Sequence, residues 1–172
     1  KNVGMETPTT LDEMHDVLYA FVHNDPDGNG KDDTFGYNMI GTHYQWFFTD
    51  IFGAYGVLPF DWQEVDGEIV YGGLREENTE VLQILQDWYK EGLIDVNIAS
   101  SDHASFEAQL LNNKTGATMG YTSSGIGKYM ATKAADSPMN LVAAPYPVMK
   151  KGEAPEKYGK KTSRYRNLYY FK

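Results

Sequence analysis

Two hydrophobic rhythms alternate along this chain, one of three to four residues and one of two. Thr10-Leu-Asp-Glu13 is a capping box, and Leu11, Met14, Leu18, Phe21 and Val22 then share one helical face. Thr34 to Ile40 switches to alternation, with Phe35, Tyr37 and Met39 on one side, and predicts a strand. Gly41 and Thr42 open a second helical stretch through Trp46, Phe47 and Ile51, closing near Gly53. Trp62 to Tyr71 reads as a hairpin turning at Asp66-Gly67. Asn78 is placed to cap a third helix carrying Val81, Leu82, Leu85, Trp88 and Tyr89, with Trp88 and Tyr89 assigned to packing and Gly92 as its stop. A fourth helix starts near Asp102 with Phe106, Leu110 and Leu111. Thr115–Tyr121 and Leu141–Ala144 read as strands, separated by a helix over Ser124–Ala135.

Strands alternating with helices predict an α/β fold, a mixed sheet flanked by helices, in a single unit spanning 1–172. A polar loop covers Lys150–Lys161. The Tyr-rich run Arg164–Lys172 then resumes an extended pattern and stops within it, which predicts a piece of a longer chain.

Composition narrows the function classes. With 172 residues, 41% of them hydrophobic and 13 of them Tyr, the chain has material for a proper core and aromatic side chains to spare. A net charge of −9 argues against nucleic acid and anionic membrane as partners. No apolar run approaches the roughly 20 residues that span a bilayer. Zero cysteines exclude a disulfide framework, a thiolate nucleophile and a cysteine zinc site.

The sharpest motif is Asp25-Pro-Asp27-Gly-Asn29-Gly30-Lys31-Asp32-Asp33. Oxygen side chains stand at every second position, Gly30 supplies a bend, Lys31 can offer its carbonyl and Asp33 returns a carboxylate. A loop curling around one point turns alternate side chains inward, which suits a hard cation wanting six to eight oxygens, so Ca2+ is the expected ligand and its role structural. The pattern matches the first nine positions of an EF-hand loop and departs at the twelfth, where Gly36 replaces the bidentate Glu. The alternative is a metal-free polar turn.

Glu6-Thr-Pro-Thr-Thr-Leu-Asp-Glu13, the Asp25–Lys31 loop, Phe52-Gly-Ala, Asp66-Gly-Glu-Ile-Val-Tyr71, Leu85-Gln-Asp-Trp-Tyr-Lys-Glu-Gly-Leu-Ile-Asp95 and Asn113-Lys-Thr-Gly-Ala-Thr-Met119 follow in order. Together they resemble the extracellular solute-binding proteins (family 1) of carbohydrate ABC importers, especially the lipoprotein type with an embedded calcium loop. The resemblance implies one lobe, the second, of a two-lobe type II periplasmic-binding-protein-like fold, with residues 164–172 as a crossover strand. It implies a non-catalytic substrate-binding component at a bacterial cell surface, working with permease subunits, and a monomeric fragment. It carries a metal role onto Asp25, Asp27, Asn29, Lys31 and Asp33, within a loop spanning 25–34. Relatives often place Glu directly after the last Asp; here Thr34 stands there.

Sugars are held by aromatic faces against their C–H surfaces and by planar polar groups on their hydroxyls. Ligands in open α/β sheets sit beyond the carboxyl ends of strands. Two segments meet both conditions: His43, Tyr44 and Trp46 after the first strand, and Tyr121, Ser123 and Ser124 after Thr115–Tyr121. Peptide or another polar solute suits such a cleft too. An enzymatic alternative, glycoside hydrolysis, needs paired carboxylates. Asp61, Glu64, Glu76 and Glu77 lie near aromatic residues but nothing in their spacing pairs them. A calcium-dependent interaction module would carry two such loops, and this chain carries one.

Overall fold

The computed structural model describes residues 3–41, 48–153 and 166–171, with Thr122, Ser123 and 166–171 in their backbone alone. Helix α1, Leu11–His23, begins where expected: Thr10 accepts from the Glu13 amide at 3.2 Å. The Glu13 carboxylate turns back one residue further than a capping box requires, accepting from the Thr9 amide and hydroxyl, both at 2.8 Å. Leu11, Met14, Leu18 and Phe21 are buried, and Val17 joins them.

Strand β1, Phe35–Tyr37, is shorter than the alternation predicts. Beyond it the chain bonds outward instead, the Gly41 amide donating to the Ser101 carbonyl at 2.7 Å. Helix α2 occupies Thr49–Ala54, the later part of the predicted 41–53 stretch; residues 42–47 lie outside the described residues. The hairpin forms as predicted from β2, Trp62–Val65, and β3, Glu68–Tyr71. Asp66 and Gly67 carry φ of 52° and 87°, the left-handed pair of a two-residue hairpin turn.

Helix α3, Glu77–Lys90, is not capped by Asn78. The Asn78 amide nitrogen instead donates to the carbonyls of Gly72 and Arg75, at 2.8 and 2.7 Å, tying the helix start to the turn after the hairpin. Gly92, at φ 76°, does end the helix. Trp88 is buried, but Tyr89 is exposed and donates to the Val96 carbonyl at 3.2 Å, so only one of the pair packs. Helix α4, His103–Leu111, has a full capping box between Asp102 and Ser105. Strand β4 is Thr115–Tyr121. The predicted Ser124–Ala135 helix splits: Thr122–Gly127 winds with π spacing and only Lys128–Thr132, α5, is α-helical. Gly125 and Gly127 weaken ordinary helix there.

Strand β5 is Leu141–Ala144 and β6 is Arg166–Phe171. The sheet order is β1-β4-β6-β5, with β1 parallel to β4 and the other pairs antiparallel, a mixed sheet as expected. A main core around Met14, Leu18, Tyr37, Ile51 and Leu93 joins α1, β1, α2 and α3. A second cluster of Phe106, Leu110, Tyr129, Met139 and Leu141 fastens α4 and α5 to β5. No described helix is long and apolar enough to cross a membrane.

Candidate functional site

Parallel pairing of β1 with β4, Tyr37 opposite Ala117, brings the carboxyl ends of both strands to one edge of the sheet. One of the two segments singled out for ligand contact, beginning at Tyr121, leaves from that edge. Tyr121, the last residue of β4, is 39% exposed, and Ser124 in the π-helical segment is exposed. Single π turns concentrate at functional sites because they re-aim side chains that α spacing would bury. His43, Tyr44 and Trp46 lie outside the described residues, as does the side chain of Ser123.

A buried polar lattice anchors the chain where β1 approaches that edge. Asn38, fully buried, donates to the Gln109 side chain and to the Thr115 hydroxyl, the latter at 3.1 Å. Gln109 passes the connection on to buried Asp95 at 3.3 Å. Three residues later, Gly41 lies so close to the 98–99 backbone that a Cβ would stand 1.9 Å from the Ile98 carbonyl oxygen. The backbone over 38–41 is therefore held at both ends.

Sequence reasoning missed a second buried group beside this edge. Asp50, 1% exposed in the first turn of α2, accepts from the Tyr37 hydroxyl at 3.1 Å, while its other oxygen meets no side-chain partner among the described residues. Loss of solvent pushes its carboxyl up to about 6, against the lowering effect of the Tyr37 hydrogen bond. A lone acid inside Trp46-Phe-Phe-Thr-Asp-Ile-Phe52 was the available signal.

The Asp-rich loop lies elsewhere, between α1 and β1. Its turns use left-handed backbone at Asp25, Gly28 and Gly30, with φ of 43°, 70° and 77°. The Asp25 carboxylate accepts the amides of Asn29 and Gly30 at 3.0 and 2.8 Å. The Asn29 amide nitrogen bridges Asp27 and Asp33 at 2.9 and 3.2 Å. The Gly30 amide, foremost, holds the Asp25 carboxyl below its ordinary value, and the Lys114 ammonium at 2.9 Å does the same for Asp33. Among the described residues no three acidic or histidine side chains are grouped to hold a metal as they stand. Thr34, directly after Asp33, is buried with its hydroxyl unpartnered. Gly36, the twelfth loop position, sits inside β1 with room for no side chain: a Cβ would meet the Leu93 carbonyl oxygen at 2.5 Å.

The acids weighed for hydrolysis gather at the hairpin and the start of α3, where Glu77 is held by Arg75.

No family model matches the chain. It is 35% identical over 122 residues to lipoprotein LipO of Bacillus subtilis, covering 67% of this chain and 24% of the relative. It is 29% identical over 119 residues to the fructooligosaccharide ABC transporter substrate-binding protein FusA of Streptococcus pneumoniae, covering 67% and 22%. The chain thus spans about a quarter of the length of these relatives. Solved FusA in complex with kestose is similar at TM-score 0.58 and 25% identity, over 66% of this chain and 24% of that one. FusA has also been solved as an EF-hand mutant with fructo-nystose, similar at TM-score 0.57 and 24% identity, over 66% and 24%. An extracellular solute-binding protein from Bifidobacterium longum subsp. infantis shares the fold over 99% of this chain and 36% of its own, at TM-score 0.69 and 22% identity.

Proposed function

Because the chain belongs to the solute-binding proteins of ABC transporters, we propose that it forms one lobe of a carbohydrate-binding component and holds one side of a saccharide. The observation that supports this reading is the sheet edge to which parallel β1 and β4 both run, with Tyr121 exposed at the end of β4. Tyr44, Trp46 and Tyr121 stack on sugar rings, while His43, Ser123 and Ser124 hydrogen-bond hydroxyls. The Asn38–Gln109–Asp95 lattice fixes the backbone just beyond β1. The opposite wall comes from the rest of the polypeptide. Lobe closure is a population shift driven by a ligand that touches both lobes at once, and the closed form is what membrane permease subunits receive. The protein works at the bacterial cell surface and performs no chemistry on its ligand.

The Asp-rich loop is the calcium staple of this lobe. Its donors are hard oxygens from Asp25, Asp27 and Asp33, the Asn29 side-chain carbonyl and the Lys31 backbone carbonyl, a set that suits calcium. Asn29 now offers its amide nitrogen to two of these carboxylates and would present its oxygen to a cation by turning the amide over. The buried Thr34 hydroxyl, lacking a partner, supports a further oxygen where relatives place Glu. When bound, calcium would neutralise the clustered acids and lock the α1–β1 connection.

Calorimetric titration of the full-length parent with calcium present, against neutral oligosaccharides including kestose, tests the reading. Micromolar or tighter binding to one glycan is expected, weakened at least tenfold by Tyr44→Ala or Trp46→Ala, the order of one lost stacking contact. A folded parent that binds no glycan on the panel overturns it.

A further inference from the structure

The β2–β3 hairpin joins no other strand among the described residues and carries a dense exposed apolar surface. Phe60, Trp62, Ile69 and Leu74 are 50%, 65%, 67% and 84% exposed. A two-stranded hairpin is marginal by itself, so bulky apolar side chains facing water on it are expensive unless something covers them. Trp62 and Tyr71 face each other across the hairpin with ring centroids 5.5 Å apart and planes at 60°. A groove of about 420 Å³ runs beside them, walled by these two rings and by Val65, Ile69, Val70 and Leu74.

The chemistry of the groove selects its occupant. Its charged lining residue, Arg75, is already committed to the Gly56 carbonyl at 2.6 Å and to Glu77. Four of the side chains lining the groove are aliphatic and give a saccharide's hydroxyls no hydrogen-bond partner, so its lining favours an apolar side chain over a sugar ring. Interleaved in sequence with its lining residues are the exposed acids Asp61, Glu64, Asp66, Glu68 and Glu76, whose charge repels polyanions and anionic lipid. A second copy would bring the same acidic rim against its twin. What remains complementary is an apolar side chain with cations around it.

We propose that this hairpin is a docking site for a partner protein that inserts an aliphatic or aromatic side chain into the groove and surrounds it with lysine or arginine. Trp62 and Tyr71 are the anchors, since rigid aromatic rings dominate such contacts. The acidic rim sets orientation and speeds encounter. This site shares no residue with the proposed sugar edge or the calcium loop, and stands or falls without them.

The test uses amide chemical shifts of the 172-residue chain and two synthetic peptides, each with two central leucines, one flanked by lysines and the other by glutamates. The lysine peptide is expected to shift residues 60–76 selectively, and the glutamate peptide to shift none. Leu74→Ser, at a fully surface position, and Glu64→Lys with Glu68→Lys should each weaken binding about tenfold, only the charge reversal also flattening the salt dependence. Lysine-peptide shifts spread over the whole acidic surface, or none, would overturn the proposal. So would neutral oligosaccharide shifting the same residues, or dimerisation lost on Leu74→Ser. In the full-length parent, Leu74→Cys should react with a water-soluble maleimide; protection there would mean the rest of the polypeptide covers the groove, and would overturn it too.

Discussion

At the scale of single residues, Asp50 is the most consequential side chain that composition does not advertise. Its carboxyl is raised from 3.8 to about 6 by burial, with one oxygen held by Tyr37 and the other without a side-chain partner among the described residues. Folded Asp50 keeps its proton up to about 6, whereas the unfolded chain releases it near 3.8. The folded state therefore binds the extra proton across that window, and stability falls as pH rises through it. The difference between 3.8 and about 6 corresponds to about 3 kcal/mol by pH 8. Asp50→Asn should remove most of that pH dependence and raise the melting temperature at pH 8, read by circular dichroism across a pH series. A variant whose stability still fell between pH 4 and 6 as in the parent chain would place the effect elsewhere. Gly41 makes a steric counterpart. Gly41→Ala drives a Cβ into the Ile98 carbonyl, a clash between two backbones that no rotamer relieves. We expect a loss of about 1–3 kcal/mol in urea unfolding.

Between elements, α1 and α3 meet through His15, whose Nε2 stands 2.8 Å from Glu91, with Asp16 at 3.4 Å from Nδ1. The Trp88 ring of α3 lies tilted beside the imidazole, centroids 6.0 Å apart. Partial burial disfavours the imidazolium, but the two carboxylates outweigh it and the His15 pKa is raised above 6.5. The clasp is fully present below 6.5 and is lost as pH rises through the higher folded value. This window lies above that of Asp50, so the two titrations separate. Glu91→Gln should flatten stability above pH 6.5 while leaving the lower window untouched, and His15 itself can be followed by its ring proton shifts.

For the whole molecule, the linkage to measure is that of the proposed calcium site. Ligand that binds the folded loop and not the unfolded chain stabilises by mass action, about 2.7 kcal/mol at a hundredfold excess over Kd. Millimolar calcium should therefore raise the melting temperature by several degrees over excess chelator, and Asp27→Ala should abolish the rise. Identical curves with and without calcium would remove the metal from the account. Lys114, bound to Asp33, links the loop to the start of β4, whose far end carries Tyr121. The loop thus braces the strand that leads to the proposed ligand edge.

What the chain determined alone is whatever neighbouring residues decide among themselves. The Thr10 cap, the Asp66-Gly67 turn and the Gly92 stop each depend on hydrogen bonds or φ angles spanning a few residues, and each reads directly from residue type. The mixed sheet followed from the alternation of the two hydrophobic rhythms, and β4 and β5 appear at the boundaries their apolar runs predict. Tertiary structure decided the rest. Asn78 left its cap position because the carbonyls of Gly72 and Arg75 lay within reach. Tyr89 faces outward because α3 presents its inner stripe through Val81 and Trp88. The parallel register of β1 and β4, which runs both strands toward one edge, joins residues some 80 positions apart, and no local pattern encodes it. The same holds for Asp50: its acidity is set by which side chains fold around it, and burial is a property of the packed molecule.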